Sequence, residues 1–412
     1  MVLPVEEKLK IYSIIQMTSA PISMLASATL MFMIFRSHKK LSTPLHRLLL
    51  GLSISDFIAS FALSFVSTLS PTDHIGWNTS GNMTLCRTQA FIHFWSQNAS
   101  PMYNCSLCIY YLIEIKYTSL QEYLAKIEIL LHIIPVLLPL IFSIITLSID
   151  EFHPNATTCT VVAIPIECKF DPDPEVDCEG GLKDHIVLSA IWMTITMVIV
   201  PLTIFISMIM IYREVSAQEQ RTNRHRFSFS SRSSLSAYRN TVAARNRALA
   251  YSLAWLLSWS TIFICFFLTM VVGQDTLLPF PLMLVHYCLY SSQGLFNFIV
   301  YIYPKVIKRI NAFKREGVGN PKRFVLAFRD SVVSRGPLAL SSSRLRSRLM
   351  DQNRALRSTR QSLRVSSTSP GNGNPSRNRD SELEELCDGS PNRIGGVQEE
   401  GFEYKRKLQR KR

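Results

Sequence analysis

Charged residues are scarce over most of this 412-residue chain: 30 Asp and Glu stand against 44 Lys and Arg, gathered in a few loops and a tail. The one Cys-x-x-Cys spacing, Cys105 with Cys108, falls inside an apolar run, which argues against a zinc site. No intramembrane His-Glu-x-x-His, paired aspartates or Gly-x-Ser-x-Gly occurs, so no enzyme, metal or cofactor is expected. No lysine lies between Phe280 and Tyr303, where a light-driven opsin-like pump would need one to hold retinal. The net charge of +14 would raise the question of nucleic acid in a soluble protein. Here the clustered cations point instead to an anionic membrane surface or an acidic docking protein, and no nucleic-acid partner is expected.

What the sequence does have is long apolar runs. A bilayer core needs roughly 20 apolar residues per helix. Segments of that kind run from Ile11 to Phe35, Leu48 to Leu69, Phe91 to Ile113, Ile127 to Ile149, Ile186 to Tyr212, Leu249 to Val272 and Phe280 to Tyr303. The expected fold is an all-α membrane protein, a seven-transmembrane-helix bundle over residues 11–304 after a short extracellular N-terminus, 1–10. The first run is expected to stay as a helix. Ala26-Ser27-Ala28 resembles a cleavage site, but the run continues to Phe35, and Glu6 and Glu7 spoil a basic leader. Beyond Tyr303, Val306, Ile307, Ile310 and Phe313 recur at helical spacing among basic residues, predicting an amphipathic helix 8 over 305–316 on the inner leaflet. Residues 317–412, rich in Ser and Arg, predict a disordered cytoplasmic tail.

Orientation follows from the cations. Arg36, Lys39, Lys40 and Arg47 follow the first run, and Arg213, Arg221, Arg224, Arg226, Arg232, Arg239, Arg245 and Arg247 follow the fifth. Those loops are expected in the cytoplasm. The opposite loops carry little beyond Arg87, Lys169 and Lys183. Glycosylation sequons at Asn78, Asn82 and Asn155 fall on that same external side, whereas Asn98 and Asn104 match the pattern inside a helix and read as structural. The expected location is the plasma membrane, multi-pass, N-terminus outside. Cys86, Cys159, Cys168 and Cys178 lie in external segments where two disulfides would use them all, and four cysteines allow three connectivities.

An ionisable side chain in hydrocarbon costs on the order of 3 kcal/mol or more. Asp56, in Leu52-Ser53-Ile54-Ser55-Asp56, must therefore face the bundle interior, either tying helices together or serving function. The third run carries His93, Ser96, Gln97, Asn98, Ser100, Tyr103, Asn104 and Ser106, tolerable only if neighbouring helices surround it, so it should be the centre of the bundle. Pro101, Pro135, Pro139 and Pro201 are expected to kink their helices. Trp95, Tyr103, Trp192, Trp259, His286 and Tyr290, with Tyr287, are candidates to line a ligand cavity in the outer half; a membrane-interface belt or ordinary packing is the alternative for each.

The last run contains Gln293-Gly294-Leu295-Phe296-Asn297-Phe298-Ile299-Val300-Tyr301. This Gln-Gly-x-x-Asn-x-x-x-Tyr arrangement resembles the cyclic AMP receptor-like group of G-protein-coupled receptors, and its Asn-x-x-x-Tyr part resembles the Asn-Pro-x-x-Tyr motif of rhodopsin-like receptors. Asp56 in Leu-Ser-x-x-Asp resembles the helix 2 acid of the latter. Glu114-Ile115-Lys116-Tyr117 stands where those receptors have Asp-Arg-Tyr; the sixth run has Trp259 but no following proline, and Phe298 replaces the helix 7 proline. The resemblance implies a polar switch network of Asp56, Asn104, Asn297 and Tyr301, able to take up sodium, with G-protein coupling through Glu114, Lys116, Tyr117, Arg245 and Arg247. It also implies a disulfide between Cys86 and Cys159, leaving Cys168 and Cys178 to close a small acidic loop.

The function so implied is a receptor passing the binding of an extracellular ligand to a heterotrimeric G protein through helix rearrangement. A seven-helix transporter or channel is the alternative. Phe227-Ser228-Phe229-Ser230-Ser231-Arg232-Ser233-Ser234 and Arg357-Ser358-Thr359-Arg360-Gln361-Ser362 have the form of basic-directed kinase substrates, which would bring in a kinase and an arrestin-like regulator. Membrane lipid is the remaining partner.

Overall fold

A computed structural model describes residues 4–37, 40–72, 76–117, 123–155, 157–161, 163–164, 179–180, 186–225, 232–272, 279–315 and 320–333. Its helices are α1 (Val5–Arg36), α2 (Pro44–Ser64), α3 (Met83–Ile115), α4 (Leu124–Ser148), α5 (Ile186–Thr194), α6 (Val200–His225), α7 (Arg232–Val272), α8 (Phe280–Ser291), α9 (Gln293–Arg315) and α10 (Asn320–Val333). Cys168, Cys178, the serines at 228–231 and the tail beyond 333 lie outside the described residues.

Among the described residues, five helical stretches are long and apolar enough to cross a bilayer: Val5–Arg36, Pro44–Ser64, Lys126–Ser148, Ala190–Gln220 and Thr241–Leu268. The protein is therefore membrane-embedded and largely helical. Two of the seven expected spans fall short of that measure for a physical reason. Helix α3 carries too many polar side chains, and the seventh is divided at Ser292 into α8, only 12 residues long, and the partly basic α9.

Burial is inverted relative to a water-soluble protein. Along α1, Ser13, Gln16, Ser19, Ser23 and Ser27 are buried while Ile14, Ile22, Leu25 and Phe32 are exposed. On α4, Ile129, Ile133, Leu137, Ile141 and Ile144 face outward, as do Leu202, Phe205 and Ile209 on α6. Apolar surface on this scale is tolerable in lipid and not in water. Small hydroxyl residues, in turn, let helices approach closely and bond one another.

Helix α3 is the central element and packs against α2, α4, α6 and α7. Its buried set runs from Cys86 through Asn104 to Ile115, which accounts for its polarity. Helix starts follow local rules: Thr43 caps α2, its Oγ1 accepting from the His46 amide with Pro44 next in line, and Asn82 Oδ1 accepts from the Leu85 amide at 2.9 Å to cap α3. Prolines act unevenly. Between α5 and α6 the chain forms a π-helical turn, Ile195–Ile199, just ahead of Pro201, whose ring and missing donor disturb the preceding turn. Pro101, Pro135 and Pro139 stand inside α-helices that continue past them.

The helices depart from the expected bounds at three places. Helix α1 already begins at Val5, within the segment 1–10. The amphipathic helix expected at 305–316 is not a separate element: α9 runs unbroken through Pro304 to Arg315. A distinct helix, α10, instead lies in the stretch expected to be disordered, tied back by an Arg309–Asp330 ion pair at 2.7 Å and by Phe298 against Phe328. Burying Ala327 and Ser331 is what that stretch gains by folding.

At one end of the bundle, β1 (Phe152–Pro154) pairs antiparallel with β2 (Cys159–Val161), and β3 (Ala163–Ile164) with β4 (Glu179–Gly180). A disulfide joins Cys86 of α3 to Cys159 of β2, Cα atoms 5.3 Å apart, the pair that the resemblance implies. Phe152, Cys86 and Ala90 bury together beneath the hairpin.

Candidate functional site

Asp56 lies on α2 with 3% of its surface exposed. Its Oδ1 accepts from Ser100 Oγ of α3 at 2.6 Å, and its Oδ2 accepts from Asn297 Nδ2 of α9 at 2.7 Å. Both partners are neutral, and no cation pairs with Asp56 among the described residues. A buried carboxyl is tolerable when each oxygen is hydrogen-bonded. The amide oxygens of Asn104 and Asn297 are buried without donors. With Asp56 they are oxygen ligands of the kind a small hard cation such as sodium would take.

The network extends on the far side of Ser100. Gln293 Nε2 donates to Ser100 Oγ, and Gln293 Oε1 accepts from Trp259 Nε1 at 2.9 Å. Donors run in one direction from Trp259 through Gln293 and Ser100 to Asp56, so each bond polarises the next. The break at Ser292 makes this possible. Helix α9 restarts at Gln293, and its first amides have no intrahelical acceptors. The Gly294 amide is accordingly free to donate to Ser23 Oγ of α1 at 3.0 Å, and Ser60 Oγ of α2 bonds that same oxygen at 3.0 Å. A Cβ on residue 294 would meet Ser27 Oγ at 2.1 Å, so glycine is what lets α1 and α9 approach. Helices α1, α2, α3, α7 and α9 thus share one buried polar assembly.

Toward the disulfide end, the Trp259 ring meets Tyr290 edge-on, and Tyr290 stacks on His286 with centroids 5.3 Å apart. His93 Nε2 lies 3.4 Å from the Tyr290 hydroxyl, and Thr261 Oγ1 lies 3.1 Å from His286 Nδ1. Trp192 belongs to a neighbouring group, packed on Phe142 and Phe94. Two candidates are elsewhere. Trp95 turns to α4, where its Nε1 donates to the Val136 carbonyl at 3.1 Å. Tyr103 packs over Gly51 with its hydroxyl 3.4 Å from His132, well away from the aromatic group.

At the opposite end the expected coupling residues do not form one surface. Lys116 caps α3 with its Nζ over the Tyr117 ring, Glu114 is exposed on the last turn, and Arg245 lies over Tyr212 of α6. Arg247, two residues on, lies on another face and stays exposed. It lines a cavity with Tyr111, Tyr301 and Lys305. Tyr301, expected in the network with Asp56, belongs to this cavity instead. Its hydroxyl is buried without a partner, and Lys305 Nζ sits 3.8 Å from its ring centre. Asn104 remains at the edge of the network, donating to the Ser100 carbonyl at 3.3 Å.

An ion pair that no motif announces joins α2 to α4. Arg47 grips Glu128 in a bidentate pair at 2.5 and 2.7 Å, and donates to the Leu41 carbonyl. The signal was a lone acid in the early turns of an otherwise apolar helix. Of the sequons, Asn78 and Asn82 are exposed and Asn155 is half-buried in the hairpin turn, all near the disulfide, while Asn98 and Asn104 are buried. No protein-family model matches the chain, and no curated protein matches it in sequence.

Proposed function

We propose that this protein is a G-protein-coupled receptor of seven membrane-crossing helices, in which α8 and α9 together make the seventh and α3 the central third. The disulfide end faces outward and the end bearing Arg245, Arg247 and Lys116 faces the cytoplasm and a heterotrimeric G protein. The carrying observation is the hydrogen-bond chain directed from Trp259 through Gln293 and Ser100 to Asp56, which accepts from Asn297 on its other oxygen. It starts beside an aromatic and histidine cluster suited to meeting a ligand and ends on the helix that leads to Tyr301. Such a chain has few satisfied arrangements, so a ligand that favours one shifts the population by its difference in affinity.

The test is guanine-nucleotide exchange on a panel of G-protein alpha subunits in membranes holding the full chain, beside Asn297→Ala. Exchange above empty membranes that the variant loses supports the reading. No exchange with any subunit overturns it. The second reading, a transporter or channel, is favoured by one observation, the Arg47–Glu128 pair at the edge of the apolar span of α4. Ion flux abolished by Glu128→Gln would then be the expected finding.

A further inference from the structure

A cavity of about 210 Å³ opens where the ends of α1, α2, α3, α7 and α9 converge, opposite the disulfide. Ser37, His46, Tyr111, Arg247, Tyr251, Tyr301 and Lys305 contribute its polar wall, and among the described residues no Asp or Glu lines it. Arg309, one turn past Lys305, is neutralised by Asp330, but neither Arg247 nor Lys305 has a carboxylate partner among the described residues. The hydroxyls of Tyr111 and Tyr301 are both buried without a hydrogen-bond partner, although Tyr111 is only 1% exposed. Buried donors left unpaired cost roughly 1–3 kcal/mol each. An exposed guanidinium at the rim, a half-buried ammonium and two idle hydroxyls around one space make a positive site with donors to spare.

We infer that this cavity binds a phosphate monoester, with Arg247 and Lys305 supplying charge and the Tyr111 and Tyr301 hydroxyls donating to its oxygens. A guanidinium is suited to paired phosphate oxygens, and an ammonium to a point contact beside it. Lys305 supports the assignment: burial, then the charges of Arg247 and Arg309, push it down to about 8. The phosphate is either a lipid headgroup entering from the inner leaflet or a soluble metabolite of the same chemistry. The inference goes beyond the receptor reading and needs no G protein, so it survives or fails independently of nucleotide exchange.

The test uses the full chain in phosphatidylcholine nanodiscs, measuring retention of added phosphatidic acid by native mass spectrometry and binding of radiolabelled glycerol phosphate. Saturable binding that Arg247→Gln weakens at least tenfold, and the nearly isosteric Tyr301→Phe several-fold, supports the site. Lys308→Ala, an exposed lysine outside the cavity, should bind as the unaltered chain does. Thermal unfolding of each variant separates lost binding from lost fold. Binding of the lipid alone assigns the source to the membrane, and binding of glycerol phosphate assigns it to solution; either supports the proposal. Absence of both, or equal loss in Lys308→Ala, overturns it.

Discussion

Replacing Gly294 by alanine is the sharpest test of how α1 meets α9. The added methyl would lie 2.1 Å from Ser27 Oγ, 2.8 Å from Ser23 Oγ and 3.0 Å from the Ser23 carbonyl oxygen. The first oxygen can swing away by a rotamer change, but the third is backbone and the helices must separate slightly. Overpacking of this kind costs about 1–3 kcal/mol. Separation also weakens the 3.0 Å bond from the Gly294 amide to Ser23, for about 1 kcal/mol. Alanine recovers up to about 1 kcal/mol of helix propensity, less in a first turn. The expected net loss is about 1–3 kcal/mol in reversible unfolding by denaturing detergent. Ser27 Oγ is buried without a partner, so Ser27→Ala alone should be close to neutral. Combined with Gly294→Ala it should recover roughly half the loss, since the contact with Ser23 remains. A Gly294→Ala chain as stable as the original, or a double variant whose losses simply add, would refute this account of the contact.

Three further outcomes are expected. Asp56→Ala leaves Ser100 Oγ and Asn297 Nδ2 without their acceptor and should cost about 2–4 kcal/mol in the same unfolding assay, whereas Asp56→Asn, which keeps one acceptor, should cost less. The double variant Cys86→Ser, Cys159→Ser releases a loop of 73 residues and should lose about 4 kcal/mol by chain entropy, matching the unaltered chain under reductant. Lys305 gives a pH dependence with a definite sign. Its proton is held less tightly when folded, about 8 against an ordinary 10.5, so the unfolded chain binds more protons between those values. Stability should rise with pH across that window, and Lys305→Met should flatten the slope.

Much of the bundle could be read from the residues because each helix carries its own periodic signal. The crowding of His93, Gln97, Ser100 and Asn104 into one run marks α3 as enclosed, and the structure buries all four. Asp56 and Asn297 could be expected together from the resemblance. Ser100 and Gln293, which link them to Trp259, could not, because both depend on a break at Ser292 that no proline or glycine announces at that residue. Tyr301 was misplaced for a related reason: one helical turn beyond Asn297, it faces a different space. Helix α10 was hidden by averaging, since a basic, serine-rich tail surrounds Phe324, Ala327, Phe328 and Ser331, whose spacing is helical. Arg47 looked like a loop cation because its partner, Glu128, is distant in sequence.

The serine-lined face of α1 also bears on the order in which the chain is made. Ser23 is satisfied by Ser60 and by the amide of Gly294, one near in sequence and the other 271 residues later. During synthesis α1 enters the bilayer long before α9 exists, with one of Ser23's two partners still to come. A product truncated before residue 293 keeps that face open to lipid or to chaperones. The polar packing of the first membrane helix is therefore completed only when the last arrives.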